Sequence, residues 1–252
     1  MSGSVRAEFR GEVCVVRCTG ADGIELADDL KGELDRCRTR GVWDVVVDVD
    51  RCRHLGDDEI AVLADAARSF HEGGGELVVA AEVGTARTAL AEAGLVSAAA
   101  PASPEPRLVA AHSPLHLPVR PRWEHDFYFP AVAEELPKAR RRLTAYAEVA
   151  GLGDPALFEF SVAAAEALTN AVVHGSPHGA DDDVHVRFFS FDDEVAVEIA
   201  DGGGGIDASP ICAPAVSQTT GRGIHFMRTL CDAVQFVCGP LGTRVLLVKR
   251  RG

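Results

Sequence analysis

Three polar side chains share one face of a predicted helix. Glu166, Asn170 and His174 are spaced four residues apart in EALTNAVVHG (166–175), where their neighbours are Ala, Leu and Val. Residues at i, i+4 and i+8 lie on the same side of an α-helix. A carboxylate buried without a partner costs several kcal/mol, so this row must face water, a ligand or a metal. A solvated stripe on a half-exposed helix and a binding site are both open at this point.

Two glycine-rich segments follow this helix in the chain. DGGGGID (201–207) places four consecutive glycines after a predicted strand, and glycine costs roughly 0.5–1 kcal/mol relative to alanine in a regular element. More glycines than a turn requires indicate a backbone that approaches something closely, and Asp201 can accept a hydrogen bond from a base amine. A flexible loop would explain the same residues.

The second segment, TTGRGIHFM (219–227), places glycines directly before a predicted helix. The first N–H groups of a helix have no partner within the helix and form a ready anion site. A simple capping loop has the same pattern, so this segment alone leaves both interpretations open.

Taken in this order and spacing, the three segments resemble the GHKL ATPase fold and, within it, the small serine-kinase anti-sigma factors of bacteria. The resemblance covers about residues 125–252. The matching motifs are ExxxNAxxHG (166–175), DxGxG (201–205), GxG (221–223) and the late Gly-Thr pair (242–243).

The resemblance implies ATP and Mg²⁺ as cofactors and assigns roles to individual residues. Asn170 would hold the Mg²⁺ that bridges the phosphates, and Glu166 would act as the general base. Asp201 would bind the adenine amine with the support of Thr243. His174, one turn beyond Asn170, would bind near the nucleotide or have a structural role. The backbone that wraps the nucleotide would be that of Gly203, Gly205, Gly221 and Gly223.

One departure from the family pattern concerns a cation. These kinases often place an arginine just before the glycine loop, where this chain has Gln218, Thr219 and Thr220. Arg222, inside the GxG motif, is the nearest cation and is the predicted substitute for the phosphate contact. Without such a contact, ATP would bind and transfer would be slow.

The first half of the chain alternates predicted strands and helices, as an α/β domain does. DVDRCRHLGDDEIAVL (48–63) resembles the STAS domain, the fold of anti-sigma factor antagonists. In that family a hydroxyl at a helix start is phosphorylated by the partner kinase. The aligned position here is Asp57, which has no hydroxyl and either mimics the phosphorylated state or is an ordinary acidic first turn.

The predicted fold is therefore an α/β STAS-like domain followed by an α+β GHKL sandwich, with helices on one face of a mostly antiparallel sheet. Six of the 13 prolines lie in residues 101–122, and proline suits neither a helix interior nor a central strand. The predicted boundaries are 1–108 for the STAS-like domain, 109–124 for the linker and 125–252 for the GHKL domain. Two helices are predicted in the GHKL domain, over 132–151 and over 154–175, and Asp154 is the predicted N-cap of the second.

Charge and composition argue against several classes of partner and site. The net charge is −13, divided as −8 over residues 1–100 and −5 over residues 101–252, so neither half has the basic surplus of a nucleic-acid-binding protein. Seven scattered cysteines without a CxxC pair argue against a disulfide framework or a zinc site. Cys14 and Cys18 share one face of a predicted strand and are expected to be small buried hydrophobic residues. No apolar run of membrane-spanning length is evident and the N-terminus lacks a signal-peptide core, so we expect a cytoplasmic protein without a membrane partner.

Two functional hypotheses follow. The first is a partner-switching regulator, an ATP-binding anti-sigma factor or serine-protein kinase that acts on a STAS-type antagonist and is modulated by its own STAS-like domain. Its partners would be a sigma factor, the antagonist or both, and a homodimer stays open. The alternative is a non-catalytic ATP-sensing module that regulates transcription through protein partners.

Overall fold

The structure is a computed structural model that describes residues 4–20, 24–52, 55–81, 85–95, 121–202, 222–239 and 242–252. The chain divides into two compact units, Met1–Pro106 and Arg107–Gly252.

The N-terminal unit is built on a four-stranded mixed sheet in the order β1-β2-β3-β4. The first two strands form an antiparallel hairpin, and the last three run parallel to one another. The strands are β1 (Ser4–Arg10), β2 (Val13–Gly20), β3 (Asp44–Cys52) and β4 (Glu76–Ala80). The helices are α1 (Ile24–Thr39), α2 (Asp57–Glu72) and α3 (Thr85–Glu92).

This mixed sheet agrees with the predicted α/β organisation, while the STAS resemblance stays a prediction. Strand β1 was not predicted. Its apolar residues Val5, Ala7 and Phe9 pack against the core of the unit, and they alternate with Arg6, Glu8 and Arg10. An alternation with a period of two is typical of a half-buried strand, so β1 could have been predicted from the sequence.

The predicted regulatory residue, Asp57, is the first residue of α2 and is exposed. Two residues later the side chain of Glu59 is 2% exposed and its Oε2 accepts the Gly56 N–H at 2.8 Å. That hydrogen bond satisfies a backbone donor at the helix start. The acidic first turn therefore has a structural function at Glu59, whereas Asp57 faces solvent.

The C-terminal unit is built on a five-stranded sheet in the order β5-β6-β7-β9-β8, and every neighbouring pair is antiparallel. The strands are β5 (Trp123–Pro130), β6 (Asp183–Ser190), β7 (Glu194–Asp201), β8 (Ala233–Gly239) and β9 (Gly242–Arg250). The helices are α4 (Leu136–Val149), α5 (Ala156–His174) and α6 (Arg222–Leu230). Short 3₁₀ turns lie at Ala133–Glu135 and Gly179–Asp181.

Helix α5 packs on β7 and β9 and lies between α4 and α6. An aromatic cluster fills the space between the helices and the sheet, where the Trp123 and Phe188 ring centroids are 5.1 Å apart and those of Phe160 and Phe188 are 6.3 Å apart. Helices on one face of an antiparallel sheet form the predicted α+β sandwich, which the described residues confirm for this unit.

Three local predictions need correction. Asp154 was predicted as the N-cap of α5, but the helix begins one residue later and Pro155 is the N-cap, without a side-chain hydrogen bond. The Gly153 carbonyl accepts the Leu157 N–H at 2.9 Å instead. Strand β5 begins at Trp123, inside the segment 109–124 that was predicted as the linker. The helix predicted over 132–151 divides into a 3₁₀ turn and α4.

By length and composition, helix α5 could cross a membrane, although no such run was evident from the sequence. The core helix of a globular domain passes the same test, and α5 has that position here. Its small residues Ala163, Ala164, Ala167 and Ala171 are buried, which brings its backbone close to the sheet.

A partly buried ion pair holds the first turn of α5 against the sheet and the end of α6. Lys249 on β9 has a side chain that is 12% exposed, and its Nζ lies 2.5 Å from Glu159 Oε2 and 2.8 Å from the Leu230 carbonyl oxygen. Lys249→Met leaves both acceptors without their donor. We expect a loss of about 1–3 kcal/mol in the free energy of unfolding, measured by chemical denaturation.

Arg250→Met is the matched control, since Arg250 is the next residue on the same strand and is exposed. We expect it to change the free energy of unfolding by less than about 0.5 kcal/mol. Equal effects of the two substitutions would contradict a structural role for the Lys249 pair.

Candidate functional site

Helix α5 supplies the side chains of the candidate site. Hydrogen bonds to α4 fix one side of this helix. Thr144 and Ser161 are hydrogen-bonded across the two helices at 3.1 Å, and Arg140 Nη2 donates to Thr169 Oγ1 at 2.7 Å. The apolar face of α5 is buried on the sheet. Glu166 and Asn170 are half-buried on the remaining face.

Glu166 and Asn170 meet the first turn of α6. A methyl group at Gly223 would lie 2.8 Å from Glu166 Oε2 and 3.6 Å from Asn170 Nδ2. Gly223 is the second residue of α6, where backbone N–H groups lack partners within the helix. The structure therefore brings the predicted general base, the predicted metal ligand and a predicted anion site together.

Asp201 forms a second cluster where β7 ends. Its Oδ1 accepts the Thr243 N–H at 2.9 Å, so the structure places these two predicted site residues in contact. The Asp201 carboxylate also lies against Gly175, directly after α5, where an added Cβ would overlap it. Gly242 has φ +113°, and a Cβ there would overlap the Asp201 backbone carbonyl.

The two clusters are joined by the last turns of α5. The Gly175 N–H donates to the Asn170 and Ala171 carbonyls, both at 3.1 Å, so Gly175 continues the helix backbone. Five residues separate Asn170 from Gly175, which corresponds to about 7.5 Å along the axis. The Asp201 cluster thus lies at the C-terminal end of α5, and the Glu166 cluster lies about two turns before it.

The other predicted site residues lie outside the two clusters or outside the described residues. Gly203, Gly205 and Gly221 lie outside the described residues. Arg222 is the first residue of α6, and its side chain lies outside them too. His174 is exposed at the end of α5, and it makes no hydrogen bond or ion pair within the described ranges. Asp57 belongs to the N-terminal unit.

Gly175 and Gly242 are site residues whose function was not predicted. Both are part of the sequence motifs, but the sequence does not show that each leaves room for Asp201. The signal for Gly242 is its place in the sequence Pro-Leu-Gly (240–242), which predicts a turn between two strands, where a positive φ favours glycine. For Gly175 no local signal exists, because a residue on another element excludes the side chain.

The available donors limit the kind of metal that the site can bind. No group of three or more His, Cys, Asp or Glu side chains converges within the described part of the chain, so a metal held by protein ligands alone is not found there. The amide oxygen of Asn170 and the carboxylate of Glu166 are hard oxygen donors. Mg²⁺ accepts one or two such ligands and completes its coordination with phosphate oxygens and water, so the residues present fit a Mg²⁺–nucleotide complex.

The C-terminal part of the chain is similar to known proteins. Residues 129–249 match the family model of the histidine kinase-like ATPase domain. The serine-protein kinase RsbW of Bacillus pumilus is 31% identical over 136 residues, which cover 49% of this chain and 83% of that protein. The anti-sigma F factor of Clostridium botulinum is 29% identical over 138 residues, which cover 51% of this chain and 96% of that protein.

A solved structure also aligns with the chain. The crystal structure of the RsbU and RsbW domains of a Mycobacterium tuberculosis protein covers 51% of this chain and 32% of its own chain, with 19% identity and a TM-score of 0.39. The sequence matches define the class, a histidine kinase-like ATPase domain. The chain belongs to the kinase-like anti-sigma factor family through this domain.

The contact between Asp201 and Gly175 can be tested by adding one methyl group. Gly175→Ala places its Cβ on the Asp201 carboxylate, so either that side chain or the end of α5 must shift. We expect a loss of about 1–3 kcal/mol in the free energy of unfolding, measured by thermal and chemical denaturation.

Gly153→Ala is the control, because Gly153 is exposed and an added Cβ has no neighbour within 4 Å. We expect it to lie within about 0.5 kcal/mol of wild type. A Gly175→Ala protein as stable as Gly153→Ala would show that Asp201 does not depend on this close approach.

Proposed function

We propose that the protein is an ATP-dependent serine/threonine kinase and anti-sigma factor of the partner-switching type. Its substrate would be a STAS-type antagonist and its binding partner a sigma factor. The observation that carries the proposal is the placement of Glu166 and Asn170 against the first turn of α6. The names of the Bacillus pumilus and Clostridium botulinum relatives, a serine-protein kinase and an anti-sigma F factor, support it.

Asp201 is the proposed adenine-binding residue. Its Oδ1 holds the Thr243 N–H, which fixes the orientation of the carboxylate. A carboxylate held in this way accepts a hydrogen bond from the exocyclic amine of adenine. The carboxylate also lies at the C-terminal end of α5, where the helix dipole gives a partial negative charge, and this favours a donor such as an amine.

The phosphates are proposed to bind at the first turn of α6. Its unpartnered N–H groups and the positive end of the helix dipole favour anions. Asn170 would hold Mg²⁺ through its amide oxygen, and the ion when bound would neutralise phosphate charge. Gly223 has no side chain, so the backbone at this position can approach a phosphate group.

Glu166 is the proposed general base for transfer. A substrate serine or threonine oxygen attacks the γ-phosphorus, the bond from that phosphorus to the bridging oxygen breaks, and ADP leaves. The hydroxyl proton passes to the Glu166 carboxylate. Phosphoryl transfer depends mainly on positioning and charge stabilisation. One general base beside a phosphate-binding site is therefore sufficient for the proposed reaction.

The N-terminal unit is proposed to modulate the kinase or to recruit partners as a STAS-like domain. Because Asp57 has no hydroxyl, this unit would not be switched by phosphorylation at that position. The antagonist that is phosphorylated would therefore be a separate protein, and we propose a cytoplasmic location for the assembly. A kinase that has lost transfer but retains ATP binding would act as a nucleotide sensor, the alternative that the missing arginine before Gly221 favours.

Glu166→Gln tests the proposed base. The amide cannot take a proton, so we expect label transfer from γ-labelled ATP to a STAS-type antagonist to fall by about 10²–10⁴-fold in the presence of Mg²⁺. ATP binding, measured by calorimetry, should persist because the amide removes a negative charge near the phosphates.

Glu134→Gln, at an exposed position in a 3₁₀ turn of the same unit, is the matched control and should keep full transfer. Transfer that survives Glu166→Gln would exclude the base. ATP binding by wild type without transfer to any antagonist would support the sensor, and no ATP binding would overturn both functions.

Asp201→Asn tests adenine recognition separately from folding. The asparagine amide oxygen can still accept the Thr243 N–H, while an NH₂ group replaces Oδ2 and cannot accept from the adenine amine. We expect ATP affinity to fall by about 10–100-fold, the loss of a hydrogen bond to a charged group, with little change in thermal stability. Asp126→Asn on the exposed side of β5 is the control and should bind ATP like wild type.

A further inference from the structure

Four of the seven cysteines form two contacting pairs in the N-terminal unit. The thiol of Cys14 on β2 is hydrogen-bonded to that of Cys37 on α1, and the thiol of Cys18 on β2 is hydrogen-bonded to that of Cys52 on β3. All four are free thiols. For Cys14 and Cys18 the sequence predicted two small buried hydrophobic residues. Their partners lie 23 and 34 residues further along the chain.

An irregularity in the strand register produces the second pair. Arg17 lies opposite Asp48, but Thr19 lies opposite Arg51 and Gly20 opposite Cys52, so β3 contains one extra residue in this interval. The extra residue exchanges the two faces of a strand. Consequently Cys52 is buried on the helix-covered face with Cys18 and belongs to the same core cluster, while Arg51 is exposed.

The two pairs differ in their access to solvent. Cys14 and Cys37 are both 0% exposed, whereas Cys18 is 2% and Cys52 is 8% exposed. Cys52 is the last residue of β3, at the rim of the core. A hydrogen bond to Cys52, with burial, raises the pKa of Cys18, so Cys18 keeps its proton. Cys52 is the more exposed residue of the pair.

The Cys14–Cys37 pair provides a comparison with the opposite properties. Its hydrogen bond from Cys14, assisted by Arg36 and Arg40, lowers the pKa of Cys37, which favours the reactive thiolate. Neither sulfur is exposed, however. If thiolate character decided the order of oxidation, Cys14–Cys37 would oxidise before Cys18–Cys52. If access to solvent decided it, Cys14–Cys37 would oxidise last.

We propose that Cys18 and Cys52 are a redox modification site that closes reversibly to a disulfide, with hydrogen peroxide as the oxidant. Peroxide oxidises the Cys52 thiol to a sulfenic acid and releases one water. The Cys18 sulfur then attacks the Cys52 sulfur, the S–O bond of the sulfenic acid breaks, and the Cys18 proton leaves with the hydroxyl group as a second water. The two thiols supply the two electrons that reduce one peroxide molecule, and a dithiol reductant reverses the bond.

The disulfide would act on the strand end that leads into α2. Cys52 lies five residues before Asp57, the first residue of α2. A bond from Cys52 to β2 restrains the chain just before that helix starts. The site therefore couples the oxidation state to the segment that the sequence predicts as the regulatory surface.

The test uses reduced full-length protein, stoichiometric hydrogen peroxide, alkylation of the remaining thiols and tryptic mass spectrometry. Cleavage after Arg17 separates Cys14 from Cys18. Cys37 and Cys52 both fall in a Cys-Arg dipeptide, so single variants must distinguish them. We expect the 18–31 peptide to be linked to a Cys-Arg dipeptide, the chain to lose two thiols, and dithiothreitol to reverse the change.

Three variants decide between the pairs. The link should persist in Cys37→Ser and disappear in Cys52→Ser, and Cys18→Ser serves as a second variant if Cys52→Ser does not fold. Cys231, whose pKa burial raises to about 12, should remain available for alkylation. A first link at Cys14, or seven unmodified thiols at a peroxide dose that oxidises free cysteine, would overturn the proposal.

Discussion

The close approach of Asp201 to Gly175 is the constraint on which the candidate site depends. At this point the end of β7, the end of α5 and the start of β9 converge, and two of the three contributing backbones have no room for a Cβ. The opposite end of α5 is held by Lys249 through Glu159. Because α5 is fixed at both ends, Glu166 and Asn170 in its middle have a defined position relative to α6.

Two carboxylates in this unit have contrasting electrostatic environments. Glu166 lies beside the N-terminal turn of α6, where the dipole stabilises an anion by about 0.3–1 kcal/mol. Asp201 lies at the C-terminal end of α5, where the same effect is unfavourable by a similar amount. The hydrogen bond from the Thr243 N–H, worth about 1.5–3 kcal/mol to a charged acceptor, exceeds that cost. Asp201 is therefore suited to a donor, and the first turn of α6 to an anion.

The two environments correspond to the two ends of a nucleotide, the base and the phosphates. A base carries donor groups and the phosphates carry negative charge, and the site has an acceptor and an anion site about two helical turns apart. Glu166 occupies the anion end itself, so a bound phosphate and this carboxylate would repel each other unless a cation is present. In the proposed site, the amide of Asn170 would offer an oxygen to Mg²⁺ without adding charge to this repulsion.

Local sequence patterns were sufficient for most of the fold and for the identity of the site helix. The four-residue spacing of Glu166 and Asn170 required only the helical period, and the β-strands other than β1 followed from their apolar runs. Features that depend on distant residues were not accessible in this way. The predicted N-cap at Asp154 was wrong because the Gly153 carbonyl accepts the Leu157 N–H. The requirement for glycine at position 175 comes from the side chain of Asp201 on β7.

The cysteine pairs show the same limit in the N-terminal unit. Cys14 and Cys18 were correctly placed on one strand face, but their partners are set by the packing of α1 and by one extra residue in β3. Without that residue, Arg51 would point into the core and Cys52 to the other face. An inserted residue unpairs part of the ladder, so its retention needs a gain elsewhere. Burying Cys52 rather than a charged Arg51 supplies that gain, and it brings two thiols together at the rim of the core as a consequence.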